Sequence, residues 1–495
     1  MQGPTGLSPQ SNKARWLLAL SLCAAAVLAC ARPEAQVYGT ALRIGEPDLF
    51  EIYGRSAEFV TPGRNPVVII HGVLGAKLAD RQTGELVWGK FTLGNFAPAS
   101  GNRLALPMRE GATLAELSDQ LDPVGVLDRV RVQFLPGPPL AYEAYGSILE
   151  TLGAAGYKPP GFSLIGTGKT INHQRSFQFA YDWRRDNVEN ARRLYTFLIE
   201  RRQQIQAEIQ LLWGIEDYPV RFDIVAHSMG GLVTRYMLRY GDADLPADGS
   251  LPELTWKGAP LVERAVLVGT PNAGLVDAFR HLVEGAAFSG MPAYPPAVVG
   301  TMPSIYQLMP RTRHHVAMNI DDPRQPIGDI YDPALWQRFG WGLAAPAQQT
   351  ILARLLPDLP SAEDRQRVAL EHLAKCLARA KQFHEAIDLP AHEPGSTRLY
   401  LFAGDAVETN QSVSVDPRTG RIAVLQTNAG DRVVLRSSAL MDERLGHPAR
   451  WTTPRLVSPI HWRAVYFLRD DHMSITRSAD FSNNLLFLLL QEPPN

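Results

Sequence analysis

The chain has 495 residues, of which 45% are hydrophobic and 20% are charged. This composition allows a large buried core and excludes an intrinsically disordered polymer. Because 49 Lys and Arg residues are balanced by 50 Asp and Glu residues, no overall charge attracts nucleic acid, and we expect no nucleic-acid partner. Three cysteines are too few for a disulfide scaffold and lack the paired spacing of a thiolate zinc site.

The N-terminal residues 1–29 have the pattern of a secretory signal peptide. Basic residues precede an apolar run over residues 16–28, and as a helix of roughly 20 Å this run is too short to span the bilayer. The following Val27-Leu28-Ala29-Cys30 resembles a bacterial lipobox, in which the cysteine is lipidated. The resemblance implies a lipid-anchored protein of the bacterial cell envelope, at the outer membrane on its periplasmic side, with secretion as the alternative. Cys376 would then be a buried free thiol.

Short apolar runs that end in Gly, Ser or Asp alternate with longer helical patterns. The apolar runs cover residues 66–70, 222–226, 265–268 and 399–403, and the helical patterns cover residues 142–152, 188–213 and 232–240. Continuous apolar runs suit strands that are buried on both faces. The alternation predicts an α/β fold with a doubly wound, mostly parallel sheet and a ligand site at the carboxyl ends of its strands.

The remaining segments set the predicted domain boundaries. Residues 30–60 mix Pro, Gly and charge and are predicted to be a tether. The core is predicted over residues 61–275, with a small excursion that lacks clear periodicity over 76–135, and again over 398–495. A structureless loop as long as residues 276–397 is improbable in a compact domain, so this segment is predicted to be a helical cap.

The centre of the predicted site is Ser228, in the sequence Ala226-His227-Ser228-Met229-Gly230. An apolar strand precedes it, and an amphipathic helix that stops at Gly241 follows it. A serine on a sharp strand-to-helix turn requires small residues two positions before and after it, because the backbones pass closely. The pattern predicts that Ser228 is a nucleophile. His227 is interpreted as structural, since it cannot act as the base for its own neighbour.

Acyl transfer at a serine also requires an oxyanion hole and a base. The predicted oxyanion donors are the backbone amides of Met229, directly after the nucleophile, and of Leu74, in the loop after the first core strand, with Val73 close behind. In this architecture the acid and then the histidine follow the serine along the chain. His472 precedes a final apolar helix and is predicted to be the base, in preference to His461.

Two aspartates are candidates for the carboxylate that orients the base. Asp405 ends the apolar run over residues 399–403, which is a natural place for such a residue. Asp431 follows a predicted hairpin that turns at residues 416–420. Spacing alone slightly favours Asp405.

Several separated motifs, in chain order, resemble those of the lecithin:cholesterol acyltransferase-like family. They are the loop over residues 71–75, Trp88, the YDWR segment at 181–184, the elbow at 226–230, the cap motif at 303–310 and the segment 430–437. The last of these resembles the family's GDGTV segment, with Arg432-Val433 in place of Gly-Thr. The resemblance implies an α/β-hydrolase fold and Asp431 as the acid, with Asp405 as the alternative.

The resemblance also implies an activity. We expect a serine-dependent acyl hydrolase or O-acyltransferase that acts on lipid esters of the phospholipid type at a membrane surface, through an acyl-enzyme and without a cofactor. A carboxylesterase or lipase for other esters, and a non-catalytic lipid-binding envelope protein, are the alternatives. Four aspartates, Asp321, Asp322, Asp329 and Asp332, lack the pattern of a calcium loop and are interpreted as a solvated surface. No metal is predicted, and the oligomeric state is left open.

Overall fold

A computed structural model describes residues 47–59, 61–89, 91–92, 101–127, 129–133, 140–143, 145–158, 175–286, 294–445 and 452–492. The predicted signal peptide, Cys30 and the tether as far as residue 46 lie outside these residues. Within the described ranges, no helix has both the length and the apolar character needed to cross a bilayer.

The helices and strands are numbered here in chain order. The strands are β1 (Val67–Ile70), β2 (Ala76–Asp80), β3 (Leu86–Trp88), β4 (Phe91–Thr92), β5 (Leu121–Val126), β6 (Arg129–Gln133), β7 (Leu140–Glu143), β8 (Ser176–Phe179), β9 (Phe222–His227), β10 (Val262–Val268), β11 (Ala317–Asn319), β12 (Arg398–Gly404), β13 (Val407–Val415), β14 (Ile422–Gly430) and β15 (Trp462–Leu468). The α-helices are α1 (Leu49–Glu58), α2 (Gly146–Ala154), α3 (Asn187–Trp213), α4 (Met229–Tyr240), α5 (Val276–Glu284), α6 (Pro296–Val299), α7 (Pro303–Tyr306), α8 (Pro333–Phe339), α9 (Gln349–Leu355), α10 (Ala362–Asp388), α11 (Arg436–Leu440) and α12 (Ala479–Leu490). Short 3-10 helices occupy Gly101–Leu104, Leu114–Glu116, Ala259–Leu261, Thr312–His314, Gly342–Ala344, Pro346–Gln348 and Ile475–Arg477.

The main sheet has six strands in the order β15-β12-β10-β9-β1-β8. All of its strand pairs are parallel. Alternate side chains of β1 enter two different cores. Val68 and Ile70 pack with the residues of α3 and α4, whereas Val67 and Ile69 pack with those of α2 and α12. Both faces of the sheet are therefore covered by helices, and the predicted doubly wound, mostly parallel α/β fold is confirmed.

Three elements differ from the sequence-based expectation. Helix α1 lies inside the predicted tether, so regular secondary structure is present before residue 61. The Asp48 carboxylate accepts hydrogen bonds from the first backbone amides of α1, and the Tyr53 hydroxyl donates to Asn483 of α12 at 2.7 Å. The edge strands β8 and β15 are not among the predicted strands. Polar and aromatic residues alternate in β8, which gives no continuous apolar run, and β15 is the apolar segment before His472, with side chains that are mostly half-exposed.

The segment over residues 76–135 contains strands that its sequence pattern did not reveal. Strands β3, β2 and β5 form one small sheet, and β4, β6 and β7 form another. Pro123 and Gly125 interrupt the alternation along β5, which removes the period-two signal. Strand β7 also occupies the start of the helix predicted at 142–152, and α2 begins only at Gly146.

Between β10 and β12 the described residues are mainly helical, and α10 is the longest helix of this segment, with 27 residues. This segment is the predicted cap, and that role stays a prediction. Strand β11 pairs with β13, and β13 pairs with β14 in the predicted hairpin. Cys376 of α10 is a buried free thiol, as predicted.

A buried ion pair fastens the end of α10 to the core. The Arg311 guanidinium donates to both oxygens of Asp388, at 2.8 and 3.1 Å, and also to the Asn272 carbonyl oxygen after β10, at 2.7 Å. Arg313 donates to Asp388 as well, at 2.8 Å. Burial alone would raise the pKa of Asp388, but the neighbouring guanidinium groups outweigh it and hold that pKa well below its ordinary value.

We therefore expect Asp388→Asn to lower the free energy of unfolding at pH 7 by on the order of 3 kcal/mol, because two guanidinium groups lose their carboxylate. Since the pKa of Asp388 is lowered by folding, its contribution is present above the unfolded pKa of about 4 and is lost as the pH falls further. Urea unfolding at pH 7 and pH 3 measures both effects. The exposed Asp321→Asn is the control. A difference between wild type and Asp388→Asn that grew at pH 3 would contradict this account.

Candidate active site

Ser228 lies on a sharp turn between β9 and α4, with a φ of 55° and a ψ of −126°. This backbone conformation is strained for a residue that is not glycine. The turn is held by the Ser228 amide, which donates to the Val268 carbonyl oxygen at 2.8 Å. A Cβ added at Gly230 would lie 2.5 Å from the His71 carbonyl oxygen, so the position two residues after Ser228 tolerates no side chain.

A chain of hydrogen bonds runs from Ser228 to Asp431 through His472. The Ser228 Oγ lies 3.0 Å from Nε2 of His472, and Nδ1 of His472 lies 2.8 Å from Oδ2 of Asp431. All three residues are buried. With Asp431 ionised, the His472 ring donates from Nδ1 and Nε2 is left to accept the serine proton.

Asp431 is fixed on both sides. Its Oδ1 accepts hydrogen bonds from the backbone amides of Val433 at 3.0 Å and Val434 at 2.6 Å, which leaves Oδ2 for His472. The His472 amide also donates to the Asp431 carbonyl oxygen, at 2.8 Å. The structure thus brings together three of the predicted site residues, Ser228, Asp431 and His472.

The other acid and base candidates lie elsewhere. The Asp405 carboxylate is one-third exposed and lies 3.9 Å from Nε of Arg436. His461 directly precedes β15. It therefore lies at the amino ends of the parallel strands, whereas Ser228 lies at their carboxyl ends. Its ring is about half exposed, stacks on His392 and lies 3.3 Å from Glu393. Neither Asp405 nor His461 hydrogen-bonds to Ser228 or His472 in the part of the chain that the structure describes.

The predicted oxyanion donors lie on either side of the serine. Met229 is the first residue of α4, where a helix leaves its backbone amides without internal partners. Leu74 follows β1, has a positive φ of 64°, and its carbonyl oxygen accepts from Trp88 Nε1 at 2.9 Å. Among the described residues, no hydrogen bond engages the backbone amide of either Leu74 or Met229. Both amides can therefore donate to a bound oxygen, and the same holds for that of Val73.

Ser228 opens into an apolar pocket of about 410 Å³. The walls come from the loop after β1, the residue before α2, the elbow, the segment 275–308 and the loops that carry Val433 and His472. Residues from the segment 88–127 and from the YDWR segment complete them. The lining residues are Val73, Leu74, Gly75, Trp88, Leu104, Leu127, Tyr145, Trp183, His227, Ser228, Leu275, Asp277, Ala278, His281, Ala286, Tyr294, Val299, Met302, Ile305, Leu308, Val433, His472 and Met473. A pocket of this size and apolar character suits the hydrocarbon part of a ligand.

The four aspartates of the acidic cluster have local structural roles. Asp322 pairs with Arg324, Asp332 caps α8, Asp329 accepts hydrogen bonds within its own loop, and Asp321 is exposed. Within the described residues, no group of His, Cys, Asp and Glu side chains is arranged to hold a metal ion.

The fold and the turn at Ser228 define a class. A parallel sheet in which a central strand leads into a positive-φ serine and then into a helix is the α/β-hydrolase fold. Residues 137–331 match the family model for lecithin:cholesterol acyltransferase, which confirms the predicted resemblance over this part of the chain. The match includes the YDWR segment, the elbow and the motif at 303–310, whereas the loop at 71–75 and the segment 430–437 lie outside it.

The solved structures that are similar to this chain are distant from it in sequence. A chain of the Tle4-Tli4 complex is 14% identical, with a TM-score of 0.52 over 87% of this chain and 99% of that chain. Lipase 1 from Pelosinus fermentans is 11% identical, with a TM-score of 0.35 over 87% of this chain and 100% of that chain. No curated protein sequence matches the chain significantly. The family match and the α/β-hydrolase fold support an ester-hydrolase or acyltransferase function.

Some residues around Ser228 had no signal in the sequence. Tyr145, Asp277 and His281 line the pocket from α5 and the residue before α2, and no motif or spacing marked them. The indole N–H of Trp183 is buried at the pocket wall without a hydrogen-bond partner among the described residues. The YDWR segment pointed to this tryptophan only through the family resemblance.

His71 illustrates how the loop beneath the site is built. Its Nδ1 donates to the Gly72 carbonyl oxygen at 2.8 Å, its Nε2 accepts from the Tyr181 amide at 3.1 Å, and its ring stacks on that of Tyr181. Burial lowers the pKa of His71 to about 4, although the hydrogen bonds and Asp182 act in the opposite direction. The ring is therefore neutral in the folded protein at neutral pH.

We expect stability to depend on pH through this ring. Because the pKa of His71 is about 4 when folded and about 6.5 when unfolded, the unfolded chain binds the proton first and stability falls as the pH drops through this window. Between pH 7 and 4.5, the free energy of unfolding should fall on the order of 2 kcal/mol less for the variant His71→Gln than for wild type. Urea unfolding over this range compares the two slopes, whatever the absolute stability of the variant. Parallel slopes would show that His71 is not the titrating group.

Proposed function

We propose that this protein is a serine-dependent acyl hydrolase or O-acyltransferase that acts on lipid esters of the phospholipid type. The observation that carries the proposal is the hydrogen-bonded chain Ser228–His472–Asp431 at the base of an apolar pocket. The family match over residues 137–331 supports the same reaction class. The lipidation of Cys30 and a place in the bacterial envelope stay predictions from the sequence.

The proposed reaction has two acyl-transfer steps. Ser228 Oγ attacks the ester carbonyl carbon while His472 Nε2 takes the serine proton, and Asp431 stabilises the imidazolium. The amides of Leu74 and Met229 stabilise the oxyanion, and its collapse expels the alcohol, which takes the proton from His472. Water or an acceptor alcohol then attacks the acyl carbon and passes its proton to His472. The bond from the acyl carbon to Ser228 Oγ breaks, Oγ takes the proton back from His472, and the fatty acid or the new ester is released.

The pocket supports a lipid rather than a small soluble ester. Its walls near Ser228 are aliphatic and aromatic side chains, among them Leu275, Ile305 and Leu308. Burial of an acyl chain against such walls contributes roughly 0.8 kcal/mol for each CH₂ group. Binding energy should therefore grow with chain length, and a small acetyl ester would use little of the pocket.

We expect a fluorophosphonate probe to label wild type and not Ser228→Ala, because the probe reacts only with an activated serine. Wild type should release fatty acid from labelled phospholipid, or transfer it to an added sterol or alcohol, and Ser228→Ala should do neither. Chromatography of the labelled products separates hydrolysis from transfer. Labelling without turnover of any aggregated lipid, together with rapid turnover of soluble esters, would favour the esterase. The absence of labelling in folded wild type would favour a non-catalytic lipid-binding protein.

The identity of the acid can be tested with a matched pair of variants. Asp431→Asn should lower kcat by on the order of 10⁴, because the amide no longer holds the His472 tautomer or stabilises imidazolium. Asp405→Asn should leave kcat within a few-fold of wild type, since its carboxylate lies beside Arg436. Steady-state hydrolysis of a soluble long-chain ester gives both values. The reverse ranking of the two variants would assign the acid to Asp405.

A further inference from the structure

A second buried hydrogen-bond chain runs beside Ser228. The Gly72 amide donates to the Tyr145 hydroxyl at 2.8 Å, and this hydroxyl lies 2.9 Å from Nδ1 of His227. Nε2 of His227 lies 3.0 Å from the His472 carbonyl oxygen. Tyr145 and His227 are each only 3% exposed, so water does not compete for these groups.

The direction of each hydrogen bond follows from its two ends. An amide can only donate and a carbonyl oxygen can only accept. The His227 proton therefore resides on Nε2, where it is donated to His472, and Nδ1 accepts from the Tyr145 hydroxyl. Burial lowers the pKa of His227 to about 3, with the neighbouring His472 acting in the same direction. The ring thus keeps one neutral tautomer at neutral pH.

This chain connects three segments that meet at the nucleophile. Gly72 begins the loop with the proposed oxyanion donor Leu74, and a Cβ added at Gly72 would lie 2.6 Å from Cβ of Ser228. His227 directly precedes Ser228, and His472 is the proposed base. Both nitrogens of the His227 ring are engaged, so this ring cannot take a proton from substrate.

We propose that Tyr145 and His227 are positioning residues. They hold the loop over residues 71–75, which carries the proposed oxyanion donor Leu74, and the backbone of His472 at fixed positions relative to Ser228. The inference rests on the proposed function and adds two residues to it. Its physical basis is that the side chains of Tyr145 and His227 connect the loop after β1, at Gly72, to the loop after β15, at His472. A displacement of about 1 Å in either loop would lower the rate on the order of 100-fold.

The test uses Tyr145→Phe and a matched control. We expect a fall in kcat on the order of 10- to 100-fold with KM within about two-fold, because the donors move while the apolar walls remain. The rate of fluorophosphonate labelling should fall in parallel. Tyr331→Phe is the control, because the Tyr331 hydroxyl lies 3.1 Å from Nδ1 of His384, whose Nε2 lies 2.8 Å from the Gln307 carbonyl oxygen. This control also removes a tyrosine hydroxyl from a buried tyrosine–histidine pair, but Tyr331 and His384 do not line the pocket.

A second pair of variants tests His227 itself. In His227→Gln the amide side chain keeps one donor and one acceptor, whereas His227→Leu removes both. We expect His227→Gln to retain most of the wild-type kcat. We expect kcat of His227→Leu to fall by on the order of 10- to 100-fold, as for Tyr145→Phe. Thermal unfolding reports whether each variant folds. If Tyr145→Phe does not fold, the His227 pair decides the question.

The outcomes separate this inference from the proposed function. If wild type neither reacts with the probe nor turns over any ester, the proposed function itself fails. If wild type is active and Tyr145→Phe matches Tyr331→Phe, the positioning role is overturned. Equal kcat values for the two folded His227 variants would overturn it as well. A rise in KM with unchanged kcat would show that Tyr145 acts only as part of the pocket wall and would also overturn the positioning role.

Discussion

The turn at Ser228 is the constraint on which the rest of the site depends. A positive φ at a residue that is not glycine costs on the order of 1–3 kcal/mol, and it persists because hydrogen bonds to a neighbouring strand and within the turn hold this conformation. The Ser228 amide is bound to the end of β10, and the Gly231 amide is bound to the Ser228 carbonyl oxygen. The turn directs the serine side chain away from the sheet, towards the loops that follow β1 and β15. Those loops carry Leu74 and His472, so the strain at one residue determines where the other groups must be.

The part of the fold that could be predicted from the sequence is the part whose signals are contiguous. Strand β9, Ser228 and α4 form one stretch in which an apolar run, small residues and a helical period follow each other directly. Helix α1 has a weaker signal, because Tyr53 is its one buried residue, Leu49 packs beside it, and Pro, Gly and charged residues dominate the segment around it. Strand β15 ends in a continuous apolar run, residues 464–468, but its side chains are mostly half-exposed because it lies at the edge of the sheet. In both cases distant residues, such as Asn483 for α1, stabilise the element.

The acid illustrates why local pattern could not decide between two candidates. Strands β13 and β14 leave the end of β12 and return to it, and Val407 pairs with Gly430 at the base of this hairpin. Asp405 and Asp431 therefore lie at neighbouring points of the fold although a hairpin separates them in sequence. A Cβ added at Gly404 would lie 2.6 Å from Cβ of Asp431. The spacing of the apolar runs identified the carboxyl end of β12, where both aspartates lie. The family resemblance selected Asp431, which contacts His472. The pocket has walls from many separate segments of the chain and could not be assembled from any local pattern.

The two hydrogen-bond chains meet at His472, and this explains how a polar site can end in an apolar pocket. The amide of His472 donates to Asp431, its carbonyl oxygen accepts from His227, and its two ring nitrogens contact Asp431 and Ser228. Each polar atom of the residue therefore has a partner within the protein. Buried polar groups without partners hold water, and water in the pocket would weaken the binding of hydrocarbon and screen the oxyanion donors. Because the polar atoms of His472 are satisfied by Asp431, His227 and Ser228, this residue brings no unpaired polar atom to the space in front of Ser228. The same arrangement fixes the ring of His472, the proposed base, before a substrate arrives, so that its orientation would not have to be established during the proposed reaction.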